Sequence, residues 1–155
     1  MKKQPQAYNK AAFMEKMYPY HKHHTAKQYK RLSGKLGNLR SSLKKRALDA
    51  GLKFDVTTEQ LRKMFYENYG KKCKYCGESV LKFNRANPIT CDHILPIQKG
   101  GHSTIDNLQL ICATCNRRKG SLHENDFLTI ILWIREQNDE IKTYLLKQMA
   151  KGGEW

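Results

Sequence analysis

The sequence predicts an α+β fold: a strand–loop–strand–helix (ββα) unit pinned by cysteines, flanked by helices and preceded by a basic N-terminal arm. Three observations lead there. Four of the five cysteines form two Cys-x-x-Cys pairs, Cys73/Cys76 and Cys112/Cys115. Between the pairs, two short apolar stretches, Ile89–Leu95 and Leu108–Ile111, flank a glycine-containing loop, and a short polar helix pattern follows. Charge is uneven: residues 1–53 hold 14 Lys+Arg against only Glu15 and Asp49, whereas residues 54–155 hold 15 Lys+Arg and 12 acids. The predicted organisation is a basic arm and helix over 1–53, the ββα core over 54–125, and a C-terminal packing helix with a loose tail over 126–155.

Taken in order, residues 1 to about 30 show little apolar periodicity and read as an irregular or partly helical, mobile arm. Within it His21, His23 and His24 read as part of a solvated basic surface. From Ser33 to Ala50 the residues Leu36, Leu39, Leu43 and Ala47 recur three or four apart and make one apolar stripe, with Lys44, Lys45 and Arg46 mostly away from it. Gly51 then serves as a C-cap. Leu52–Val56 alternates like a short strand. Thr57 and Gln60 have the spacing of a capping box, opening a helix with Leu61, Met64 and Phe65 on its apolar face and an end near Tyr69-Gly70. Residues 77–88 read as a loop. The second unit is the strand Ile89–Leu95, the loop Gln98–His102, the strand Leu108–Ile111 and a short helix from Ala113 to Lys119 stopped by Gly120. After a cap at Ser121 or Asn125, the stripe Phe127, Ile130, Ile131, Ile134 and its continuation Ile141, Tyr144, Leu145 predict one long helix, or two broken near Asn138, packed on the back of the ββα unit. Trp133 reads as packing.

The totals narrow the class. A formal charge of +15 on 155 residues calls for a polyanionic partner, most simply nucleic acid. No apolar run reaches the roughly 18–20 residues that span a bilayer, and the basic N-terminus lacks the apolar core of a signal peptide. A cytoplasmic location is therefore expected, with reduced cysteines that favour metal over disulfides. Two Cys-x-x-Cys turns each present two thiolates, the donor set of a tetrahedral structural zinc. The 35 residues between Cys76 and Cys112 leave room for an inserted strand and loop. Cys91 falls mid-strand and reads as core.

Inside this clamp lies a second polar set. Asp92 offers a hard anionic oxygen suited to Mg²⁺. His93, with a reference pKa of about 6.5, can take a proton from water near neutral pH. Being adjacent on a strand, the two side chains point to opposite faces, and a twist or bend is needed to bring both to one phosphate. Asn116, on the short helix after Cys115, can add a neutral carbonyl oxygen to the same ion. Arg117, Arg118 and Lys119 follow on that helix as candidate phosphate contacts, as do Lys44, Lys45 and Arg46.

Cys73-x-x-Cys76, Asp92-His93-Ile94-x-Pro96, Gly100-Gly101, Asp106-Asn107-Leu108, Cys112-x-x-Cys115-Asn116 and Lys119-Gly120 together resemble the HNH endonuclease family, in its ββα-metal branch with a four-cysteine zinc site. More loosely, Lys45–Leu61 looks like the lead-in of small phage-type HNH proteins of the homing or packaging kind, which would place the chain in a host cytosol. The resemblance implies a metal-dependent DNA endonuclease. His93 would be the general base and Asp92 a ligand of one divalent ion. Asn107 would fix the loop, its backbone carbonyl orienting the His93 ring. Asn116 stands where many members carry the last histidine and would be the second ligand, as in HNN variants, with Mg²⁺ or Mn²⁺ the favoured ion. His102 is a weaker rival base. The competing reading is a non-catalytic zinc-containing module that binds nucleic acid; it has no use for Asp92, His93 and Asn116 together. Nothing in the chain resembles a toxin delivery domain.

Overall fold

A computed structural model describes residues 26–68, 71–78 and 88–151. The expectations for the arm before Ala26, for His21, His23 and His24, for most of the 77–88 loop and for the tail after Lys151 lie outside the described residues.

The basic helix α1 spans Ala26–Asp49, starting earlier than Ser33. Apolar periodicity marks only the part of a helix that packs. Here the stripe begins at Leu36, and Leu36, Leu43 and Ala47 are buried. The helix ends in a Schellman arrangement: the Gly51 N–H reaches Leu48 O (3.0 Å) and the Leu52 N–H reaches Ala47 O (2.8 Å), with Gly51 at φ +66°, a conformation that suits glycine. Helix α2, Thr58–Glu67, opens on the expected capping box, with Gln60 N–H donating to Thr57 Oγ1 (3.1 Å) and Thr57 N–H to Gln60 Oε1 (2.8 Å). It ends two residues short of Tyr69, and it buries Leu61 and Tyr66.

Between these helices, β1 (Phe54–Asp55) pairs in parallel with β3 (Ser103–Thr104), a tie that spacing along the chain does not reveal. The ββα unit is present as read. Strand β2 (Ile89–His93) pairs antiparallel with β4 (Leu108–Cys112), with Ile89 opposite Cys112, Asp92 opposite Gln109 and His93 opposite Leu108. Helix α3 (Ala113–Lys119) follows directly. Strand β2 stops at His93 rather than Leu95. The Leu95 N–H is taken by the Asn107 side chain (2.8 Å), and Pro96 has no N–H to offer a ladder.

The C-terminal part is two helices, α4 (Glu124–Arg135) and α5 (Asp139–Ala150). Asn138 caps the second by accepting from the Ile141 N–H (2.9 Å). The cap of α4 is His123, whose Nδ1 accepts from the Asn125 N–H (3.2 Å), in place of Ser121 or Asn125. Phe127, Ile131 and Ile134 are buried against Tyr75, Ile111 and the cysteines. Trp133, expected to pack, is 54% exposed: it sits one position off the buried stripe, about 100° around the helix. A second cluster joins Leu36, Leu43, Val56, Leu61 and Leu108. The β2–β4 hairpin thus feeds both cores. Among the described residues no helix is long and apolar enough to cross a membrane.

Candidate active site and metal clamp

The sulfurs of Cys73, Cys76, Cys112 and Cys115 lie within 4.8 Å of one another. The Cys76–Cys112 Sγ separation is 3.7 Å. A tetrahedron with zinc–sulfur bonds of about 2.3 Å needs sulfurs about 3.8 Å apart, so the four are placed to bind a metal ion in the way structural zinc requires. Both turns are pre-shaped by backbone hydrogen bonds: the Gly77 N–H donates to Cys73 O (2.8 Å), and the Cys115 N–H to Cys112 Sγ (3.3 Å). The thiols divide their protons unequally. A hydrogen bond from Cys115 pulls Cys73 down to about 4; burial pushes Cys76 up to about 11; and the bond to Cys73, then burial, pushes Cys115 up. Once Cys73 is ionised, its charge opposes ionisation of Cys76 and Cys115 until a cation offsets it.

The second site is a cavity of about 510 Å³ lined by Arg46, Asp49, Asp92, His93, Pro96 and Asn116 among others. It gathers α1, the end of β2, the following loop and α3. The alternation of β2 does send Asp92 and His93 to opposite faces, yet at the strand's end both border this one space. Asp92 Oδ2 pairs with Lys119 Nζ (3.0 Å) and accepts from Gln109 Nε2 (2.9 Å), so Oδ1 is the oxygen left for the cavity. Asn116 turns its Nδ2 to Thr90 Oγ1 (3.1 Å), which leaves its carbonyl oxygen. These are two hard oxygen donors, a set that fits Mg²⁺ or Mn²⁺.

His93 is buried, at 5% exposure. Its Nε2 meets Ser103 Oγ at 2.8 Å, so Nδ1 is the ring nitrogen not engaged with Ser103. Burial, and next the Arg46 charge, outweigh the pull of Asp92 and hold the imidazole down to about 4. It is therefore neutral at pH 7. Cys91, packed against the α1–α2 cluster, is pushed up to about 12 by burial, in keeping with a core role.

Several expected roles shift. Asn107 does fix the loop: its Oδ1 accepts from the Leu95 N–H, and its Nδ2 donates to Leu95 O (3.0 Å) and His102 O (2.8 Å). Its backbone carbonyl, however, accepts from the Ile94 N–H (2.9 Å) rather than orienting the His93 ring; Ser103 stands at that ring. Lys119, expected to meet phosphate, is fully buried and donates to His93 O (2.8 Å) as well as pairing with Asp92, so it does not reach the surface. Arg118 is partly buried, with Nε on Leu146 O (3.3 Å). Of the three, Arg117 is exposed. Lys44, Lys45 and Arg46 are exposed on α1, with Lys45 ion-paired to Asp49. His102 is exposed and accepts from the Lys53 N–H (3.2 Å). Sequence reading missed Ser103, Gln109 and Tyr75. Only the i,i+3 relation of Asn116 to Lys119 carried a signal, since it sets both on the helix face that meets β2.

The HNH endonuclease family model matches residues 73–122. The match spans the cysteine clamp, Asp92, His93 and all of α3, and the four-cysteine cluster is consistent with the zinc-binding HNH variant. It points to a nuclease or nucleic-acid-binding function. A search of curated proteins finds no match.

Proposed function

We propose that this chain is a metal-dependent HNH endonuclease that hydrolyses phosphodiester bonds of DNA, most simply duplex DNA, with His93 as the general base. The observation that carries the reading is the shared cavity. Asp92, His93, Asn116 and Arg46 border one space large enough for a phosphodiester, and a binding module has no need for that combination.

A divalent ion held by Asp92 and Asn116, Mg²⁺ or Mn²⁺, would supply Lewis-acid stabilisation of charge on the phosphate and the leaving 3′-oxygen. The chain's own residues do the rest. His93, held through Nε2 by Ser103, takes a proton from the attacking water at Nδ1; such help is typically worth about 10²–10⁴-fold. Its low basicity in the free protein stems from burial and from Arg46. Arg46 meets the phosphate by a charge-assisted fork. Asn107 keeps the loop shut behind the base. Lys44, Lys45 and Arg117 supply phosphate contacts along the duplex; these hold position and do not specify sequence. The cysteine clamp carries structural Zn²⁺.

Plasmid relaxation tests the reading. Supercoiled DNA is incubated at low salt with Mg²⁺, Mn²⁺ or EDTA and with wild type or His93→Ala. Metal-dependent nicking that disappears in the variant, with DNA binding retained, is the expected result. Equal binding with no cleavage under any metal would support a zinc-containing nucleic-acid-binding module instead. Cleavage at full rate by His93→Ala would remove His93 as the base.

A further inference from the structure

The carboxylate of Asp92 is held from a direction that the active-site loop does not explain. Gln109, its partner in the β2–β4 register, donates Nε2 to Asp92 Oδ2 (2.9 Å). The same amide nitrogen donates to Tyr75 Oη (3.1 Å), and the Tyr75 hydroxyl has two acceptors for its one proton, Glu124 Oε1 (3.2 Å) in the first turn of α4 and Gln109 Oε1 (3.3 Å). Both Gln109 N–H groups are used, one on each neighbour, so the contacts link Gln109 to Asp92 on one side and, through Tyr75, to Glu124 on the other.

Tyr75 belongs to the cysteine clamp: it lies between Cys73 and Cys76. It is 1% exposed, its ring packs edge-on against Phe127 (centroids 4.8 Å apart), and its carbonyl accepts from Arg135. It has no freedom to swing away from Gln109. Leu and Phe at positions 109 and 75 would fill similar space without asking for buried hydrogen bonds, and buried polar networks of this kind are costly unless fully satisfied. Packing alone does not explain the pair. With Gln109 and Lys119 both on Oδ2, the Asp92 carboxylate cannot rotate, and Oδ1 is presented in one direction.

We propose that Tyr75 and Gln109 are positioning residues that tie the cysteine clamp to Asp92, so that the clamp's geometry sets how tightly the divalent ion is held. This rests on the nuclease reading above. The test uses the full chain loaded with zinc, comparing wild type, Tyr75→Phe, Gln109→Leu and the double variant. Mn²⁺ binding is measured without DNA by calorimetry, alongside zinc content and melting temperature. The Mn²⁺ concentration for half-maximal nicking is then set against the plateau rate.

Partners one step behind a metal ligand typically change metal affinity about 10–100-fold. Gln109→Leu is expected to fall in that range and Tyr75→Phe several-fold below it. The double variant should match Gln109→Leu alone, because Tyr75 acts only through Gln109. Zinc content should be unchanged throughout. Tyr75→Phe retains the ring on Phe127 and keeps the test sound if Gln109→Leu does not fold. Wild-type Mn²⁺ affinity in a folded Tyr75→Phe, with His93-dependent nicking intact, would overturn this inference and leave the nuclease reading standing. Wild type that neither binds Mn²⁺ nor nicks would overturn both. Additive effects in the double variant would overturn the relay.

Discussion

The cysteine clamp and the cavity are built on opposite plans. The clamp takes four identical donors from two local turns, and each turn is shaped by its own backbone hydrogen bonds. The cavity takes single residues of different chemistry from α1, β2, the following loop and α3. None of its members has a local partner of the same kind. Each half of the clamp therefore needs only spacing to form, whereas the cavity needs the whole tertiary structure to be right. The difference predicts a hierarchy: damage to the clamp should reach the cavity, and most damage to the cavity should leave the clamp intact.

Loss of the clamp is the largest expected effect. Structural zinc in small domains is worth on the order of 10 kcal/mol in apparent folding free energy. The clamp cysteines also sit in the same core as Ile111, Phe127 and Ile134. Cys112→Ser should lower the melting temperature by tens of degrees and abolish Mn²⁺ binding, and a strong chelator on the wild type should lower the melting temperature likewise and release zinc in a stoichiometric assay. A chelated protein that still melts cooperatively near the wild-type temperature would break the hierarchy.

Lys119→Met tests the cavity from inside. The ammonium is fully buried, paired with Asp92 and bonded to His93 O. Removing one partner of a buried pair typically costs about 3–5 kcal/mol. Denaturant titration of the zinc-loaded variant should show a loss of that order with zinc content unchanged. A loss below about 1 kcal/mol, the size expected for a surface pair, would mean that Lys119 is not sealed in as described.

The pH dependence of stability sharpens the same comparison. His93 is held at about 4 by burial and then Arg46, against about 6.5 in an unfolded chain. The unfolded state therefore binds the proton first as pH falls. The His93 contribution to stability is full above pH about 6.5, is lost between about 6.5 and 4, and stays constant below that. A neutral His93→Asn variant should show a shallower decline than wild type across that window, by about 3 kcal/mol at most. Parallel curves would place the imidazole in contact with solvent.

What was legible in the sequence follows the local-versus-distant divide. The cysteine pairs, the Thr57–Gln60 capping box, the ββα order and the break at Asn138 all depend on neighbours a few residues apart. The parallel β1–β3 pair is two residues long and joins positions 49 apart. The Ser103–His93 bond and the Tyr75–Gln109–Asp92 chain likewise depend on pairings that no period encodes. The basic run on α3 is different, because its signal was present: three consecutive helical residues point about 100° apart and cannot all face one duplex.

That last point supports the smallest prediction. Among Arg117, Arg118 and Lys119, only Arg117 is exposed; Arg118 is partly buried with Nε on α5, and Lys119 is buried under the cavity. In the proposed DNA complex Arg117 is then the single phosphate contact of that run. Each phosphate contact contributes about 0.9 to the slope of log affinity against log salt. Arg117→Ala should reduce the slope by about one, weaken binding uniformly across sequences, and leave melting temperature and zinc content as in wild type. A slope reduced by two or three would mean that the whole run reaches DNA, which requires α3 to expose Lys119 and part from Asp92 on binding.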